Sequence, residues 1–426
     1  MKKAYSILSI LSLLGIVVFF HSCAMDKCHE KVRYNVYEPV QYTKEQLREV
    51  KIEAPKDLER PGKIYVYKNY LFINEMYEGV HIFDNSNPAS PKNLVYISIH
   101  GNIDIAVRDD ILYADNFIDL LTFDISDIND IKYLSSTQDV FNRDKTYYKN
   151  KGYTVYMKLT DKIIEKDCSY DENLEFFDVN DNVFYGGSTY NGGGIRRVSS
   201  GPPPSVVGTG GSMSRFYIGN NRLYAVDGTD LKIFKIDLEQ SFSLSNEKYI
   251  AFGIETLFGL GQYLFIGANN GMYIFDASNP DNPAFLSQFL HVTACDPVFV
   301  KDDVAYITLR SNSRCRGFSN QMDVVDISDI MNPKPIRTYS LENPHGLAVT
   351  GDDKIIVCEG DYGIKVLDGS DVKNVELKYS VTTPHSYDVI ALDDKDILIV
   401  GNDGLYQYKL EDFELKQISS IPVVKE

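Results

Sequence analysis

The sequence predicts an all-β fold built from short strands repeated around a ring, and three observations carry that reading. First, one unit recurs: an alternating apolar run that ends in Asp and enters a Ser/Asn/Pro turn. Met272-Tyr273-Ile274-Phe275-Asp276 is the clearest copy. Others end at Asp84, Asp124, Asp326 and Asp368, with degenerate copies at Lys235 and Lys409. Second, the anchors at 84, 124, 235, 276, 326, 368 and 409 are spaced by 40, 111, 41, 50, 42 and 41 residues. A period near 41 with period-2 strands matches one four-stranded propeller blade. Third, 30 Tyr and 22 Phe among 426 residues supply strand-favouring aromatics, with no Trp. Seven anchors predict a β-propeller of about seven blades. The interval of 111 predicts one long loop insertion rather than an eighth blade.

The pattern Ile-Phe-Asp followed by Ser-Asn-Pro, as in Ile82-Phe83-Asp84 and Ile274-Phe275-Asp276, resembles the LVIVD repeat family of bacterial β-propeller proteins. The resemblance covers roughly residues 62–426 outside the insertion. It implies a propeller and supplies no catalytic residues, because the family has no established common reaction.

The elements follow in order. Lys2 and Lys3 precede an apolar run from Ile7 to Phe20, and Ser22-Cys23 follows. Residues 1–22 therefore read as a secretory signal, resembling a bacterial lipoprotein signal with Cys23 as the acylated residue. The apolar run is short for a bilayer-spanning helix. A lipid-anchored protein of the cell envelope, on the outer membrane, is the expectation, with the side it faces left open. Residues 23–61 read as a tether, with a short helical patch at 44–50 and an outer strand at 50–54. Residues 62–426 hold the blades. Their first strands are expected near Lys63, Asp104, Arg215, Glu255, Asp296, Gly346 and Val389.

Antiparallel blades send alternate loops to opposite faces of the disc. The Asp-x-Ser turns fall on one face, where Asx turns are expected and calcium is not. The other face carries the loops that lead into the innermost strands. There Asp104, Glu255, Asp296, His345 and His385 can converge near the axis, with Arg310 from a loop after a second strand. Two imidazoles among carboxylates could bind a divalent metal such as Zn²⁺. The competing reading has them satisfying turn backbones, because no local ligand motif is present.

The insertion, residues 141–212, is rich in Tyr and Phe and ends in Gly- and Pro-rich stretches. It is expected to leave the ring on that same face as a lid. Cys295 and Cys315 flank one blade's loops and are expected to pair. Cys28 with Cys168 is a further option, and Cys358 reads as a buried thiol. A net charge of −17 argues against nucleic-acid partners. The leading functional expectation is a non-catalytic scaffold that binds a protein, carbohydrate or other ligand. The alternative is a metal-assisted hydrolase or lyase acting on an exported sugar or peptide.

Overall fold

The computed structural model describes residues 31–141, 152–167, 207–236, 242–291, 297–311 and 319–424. The chain divides into two compact units, one of residues 1–39 with 157–179, the other of 40–156 with 180–426. In the first unit, the described residues belong to a two-stranded sheet of strands Lys31–Tyr42 and Tyr153–Asp167. There Thr160 Oγ1 donates to the Val36 carbonyl at 2.9 Å.

The second unit is the propeller. The first strands of its repeats run at Pro61–Tyr67, Ile105–Arg108, Phe216–Gly219, Val298–Lys301, Leu347–Val349 and Asp388–Ala391. These are close to the expected starts. Burial grades outward, as a ring of radial blades requires. Ile105–Arg108 is buried throughout, whereas the outermost strand of the same blade, Lys132–Thr137, is half-exposed. The motif aromatics pack between neighbouring repeats: Phe123 joins Phe72 and Phe234 in one cluster, and Phe275 joins Ile233 and Ile266 in the next. Burying one such ring contributes about 1.5–3 kcal/mol.

Among the described residues, the expected seven four-stranded blades are corrected to six blade sheets. Arg222–Ile236 and Phe242–Leu260 are long strands, each bending within its length, and they carry hydrogen bonding from one repeat into the next. The repeats anchored at Lys235 and Asp276 therefore share one six-stranded sheet. The bends fall at Gly228 and Gly253, whose φ of 62° and 66° few other residues adopt cheaply.

The Asp-x-Ser turns are Asx turns, as expected. The carboxylates of Asp84, Asp124, Asp276, Asp326 and Asp368 accept the amide two residues on, at 2.7–3.1 Å. Hydrogen bonding from the serine hydroxyl of the turn, and then from its amide, holds Asp84, Asp124, Asp326 and Asp368 below the usual carboxylate range.

Residues read as a tether take part in the ring. Thr43 caps the short helix Lys44–Leu47, and Val50–Glu53 pairs with the outermost strand of the first blade. Leu58 bridges Val423 in parallel and packs among Ile390, Leu398 and Ile73, so the last blade closes on the first.

The end of the insertion departs from expectation. Phe141 donates its amide to the Ile118 carbonyl, on the face where the innermost strands begin. Val207 instead bridges Arg108, at the far end of an innermost strand. Residues 207–214 then run along the axis back to the first face. Thr209 and Gly210 pair with Val66 and Tyr65, and the Leu347 amide donates to Ser212 Oγ. The Leu257 amide donates to the Ser214 carbonyl. The channel of the ring is thus filled by its own chain. Glycine is required there: a Cβ on Gly208 would lie 2.3 Å from the Tyr65 ring, and one on Gly211 would lie 2.1 Å from Asp388 Oδ2.

Candidate functional site

Above the channel segment lies a cavity of about 270 Å³ on the axis. Its walls come from the turns into the innermost strands and from the ends of those strands: Pro61 to Lys63, Met213, Arg215, Glu255, Pro297, Asn343 to His345, His385, Tyr387 and Asp388. Loops after second strands add Asn74, Met76, Tyr77, Arg310 and Asp361. Convergence on one axis follows from the architecture. The innermost strands start on this face, so residues near their starts come from every blade toward one axis.

Of the residues singled out by sequence, Glu255, Arg310, His345 and His385 line the cavity. Asp104 does not; it lies behind the wall, 2% exposed. It accepts from Lys63 Nζ at 2.7 Å, from the Ile105 amide at 2.8 Å, and from the Arg215 amide. Asp296, Cys295 and Cys315 lie outside the described residues, as do Cys23, Cys28 and Cys168. Cys358 is a buried free thiol whose ionisation burial suppresses. Several acidic residues of this face serve the scaffold. Asp115 accepts the Ile103 and Asp104 amides, each at 2.8 Å. Asp119 pairs with Arg48 at 2.7 Å, and Glu75 accepts the Glu59 amide at 3.0 Å and faces His81 at 3.1 Å.

The two histidines meet, with ring centroids 6.5 Å apart. Arg310 Nη1 lies 3.2 Å and Asn343 Nδ2 3.4 Å from His345 Nε2. Both are donors, so Nε2 accepts and the proton of the neutral ring sits on Nδ1. Burial, then the Arg310 and His385 charges, hold His345 well below the usual imidazole range. His385 is also lowered by burial, against the pull of Asp361, 3.5 Å from its Nε2. Its Nδ1 is buried without a hydrogen-bond partner. Among the described residues no three His, Cys, Asp or Glu side chains gather closely enough to hold a metal ion.

Sequence reading missed three further parts of the site. Asp388, 2% exposed, begins the last blade at the cavity floor. Its Oδ1 accepts the Val389 amide at 3.0 Å, and Oδ2 is buried with no hydrogen-bond partner. Burial pushes this carboxyl up to about 7. Tyr77 stands at the rim with φ 66°, a left-handed conformation that costs a non-glycine residue on the order of 1 kcal/mol. Its ring stacks on Tyr156 of the insertion, 5.1 Å between centroids, and Tyr156 in turn lies beneath Arg60 and donates to Glu78 at 3.0 Å. The third part is the channel segment itself, whose only local signal is Gly208-Thr209-Gly210-Gly211.

The LVIVD repeat pattern matches residues 62–96 and 260–290. With the blades observed, the chain is an LVIVD-repeat β-propeller. No curated protein matches it in sequence. Among solved structures, the periplasmic gluconolactonase PpgL of Pseudomonas aeruginosa is similar at 9% identity and a TM-score of 0.53. That match covers 85% of this chain and 96% of the other. A protein from Lactobacillus plantarum is similar at 12% identity and a TM-score of 0.50, over 78% of this chain and 86% of the other. At these identities the likeness is one of fold. Among the described residues no helix is long and apolar enough to cross a membrane.

Proposed function

We propose that this LVIVD-repeat propeller is a non-catalytic binding protein whose ligand site is the axial cavity. The observation behind it is the convergence on one small cavity of Arg215, Glu255, Arg310, His345, His385 and Asp388, with a channel segment closing it from below. A closed floor suits capture of a small molecule better than passage through the ring. A ligand in this cavity touches several blades at once, so it stabilises the folded ring by mass action.

The test is thermal unfolding of the full chain across a panel of small polar metabolites and saccharides. Saturable stabilisation by a panel member, abolished by Met213→Trp, is the expected result. Stabilisation that survives in the filled-cavity variant would move the site elsewhere. We further propose that the protein is held at the bacterial cell envelope through a lipid on Cys23. Cys23→Ala should then release it from the membrane fraction, and unchanged fractionation would refute the anchor.

The enzymatic alternative, a metal-assisted hydrolase or lyase, needs His345 and His385 to share an ion with a third ligand. Elemental analysis of the full chain purified without chelator decides between them. A stoichiometric metal lost in His345→Ala/His385→Ala would favour the enzyme.

A further inference from the structure

Four ionisable side chains meet at the cavity floor: Lys63, Asp104, Arg215 and Asp388. Lys63 and Asp104 form a pair at 2.7 Å, with side chains 18% and 2% exposed. The same Asp104 oxygen that accepts from Lys63 Nζ also accepts the Arg215 amide. Arg215 is thereby fixed at the floor, near enough to lower the Lys63 ammonium alongside burial. Asp388 completes the group. Facing it are Lys63 and Asp104 from the first two blades, and the Met213 amide and Ser212 hydroxyl from the channel segment. The Val389 amide follows on its own strand, and the Cys358 thiol faces it from the preceding blade. Glu255 and Arg310 also line the cavity, so the lining holds charges of both signs, but among the described residues no carboxylate pairs with the Arg215 guanidinium. Enclosed charge is costly unless paired.

We propose that the axial cavity takes a small organic acid, its carboxylate seated on the Arg215 guanidinium, which the Lys63–Asp104 pair leaves without a carboxylate of its own. This rests on the reading of the cavity as the ligand site. The planar guanidinium fork matches a carboxylate in two hydrogen bonds. Met76, Tyr77, Ile103, Met213, Pro297 and Pro344 offer apolar wall for the body of the acid, which favours an organic anion over inorganic phosphate. A cavity of about 270 Å³ lies just under the roughly 300–1,000 Å³ of pockets for drug-sized ligands, so the ligand is small. Ionised Asp388 at the cavity floor would repel the acid. Binding therefore takes up a proton near neutrality and weakens as pH rises past the Asp388 titration.

The experiment is calorimetry on the full chain at low salt with benzoate, glutarate and gluconate. Each acid is paired with its uncharged amide, and phosphate serves as an inorganic arm. At about pH 6, at least one acid is expected to bind at least about tenfold more tightly than its amide, and about tenfold or more weaker near pH 8.5. Arg215→Gln should remove the preference for the acid, whereas Asp388→Asn should keep binding and flatten its pH dependence. The second variant carries the test if the first does not fold. Amides bound as tightly as their acids would overturn the anion assignment and leave the cavity reading standing. Phosphate bound in preference to every acid would overturn the organic-acid assignment. Acids bound with unchanged affinity in Met213→Trp would overturn both readings, as would no binding by any member of either panel.

Discussion

Asp388→Asn should flatten the dependence of stability on pH. In the folded ring, burial keeps the Asp388 carboxyl protonated up to about pH 7, against an ordinary value of 3.8. Unfolded, it releases its proton near the ordinary value. A group whose folded pKa is raised contributes stability that is complete below the lower value and lost as pH rises through the upper one. The displacement is roughly three pH units, at about 1.4 kcal/mol per unit. Asp388 therefore removes on the order of 4 kcal/mol between about pH 4 and pH 7, and no more above that. Asn keeps the shape and the acceptor for the Val389 amide and carries no charge at any pH. Glu359, 0% exposed, is also pushed up by burial to about 7, with Lys365 Nζ 2.9 Å away. It contributes equally to both proteins and cancels in the comparison. The assay is urea unfolding from about pH 4.5 to about pH 8.5. The parent should lose several kcal/mol more than the variant across that range, close to one proton's worth of slope. Parallel curves would refute the reasoning, because Asp388 would then be ionised in the folded ring.

Three other outcomes follow from the same geometry. Gly211→Val sets carbon atoms against Asp388 Oδ2, where even a Cβ would lie at 2.1 Å. Overpacking of this kind costs about 1–3 kcal/mol, read as a lowered unfolding midpoint, and an unchanged midpoint would show that the channel segment can move aside. Leu58→Ala opens the contact between the last and first blades, where Leu58 is 2% exposed. It should cost about 2–5 kcal/mol in chemical denaturation, against a few tenths if ring closure does not depend on it. Nitrogen NMR of labelled histidine should find His345 neutral at about pH 6 with its proton on Nδ1. A ring that titrates near 6.5 would contradict the donor pair at Nε2.

Much of the ring was legible because its signals are local. Met272 to Asp276 alternates because a half-buried strand alternates, and Asp276 ends it because its carboxylate accepts the Ser278 amide two residues later. The face that holds the cavity was also legible, since strand alternation alone assigns loops to faces. That places Glu255, Arg310, His345 and His385 together, although they are far apart in sequence. Asp104 was placed on the right face but given the wrong task. Only the folded chain brings Lys63 and the Arg215 amide to its oxygens, which turns a candidate ligand contact into a structural one.

What the sequence by itself determined is the repeat, its strands and turns, and the side of the disc to which each loop belongs. Each of these depends on residues within a few positions of one another. The tertiary structure alone decided three things. Two repeats fuse into one sheet because strands Arg222–Ile236 and Phe242–Leu260 each continue past a register shift at a glycine, and Phe242–Leu260 pairs with one repeat before it and the next after it. The end of the insertion fills the channel because three glycines bring it against Tyr65 and Asp388, partners distant in sequence. Asp388 keeps its proton because the fold buries it beside Asp104, and no pattern within its own strand encodes that neighbour.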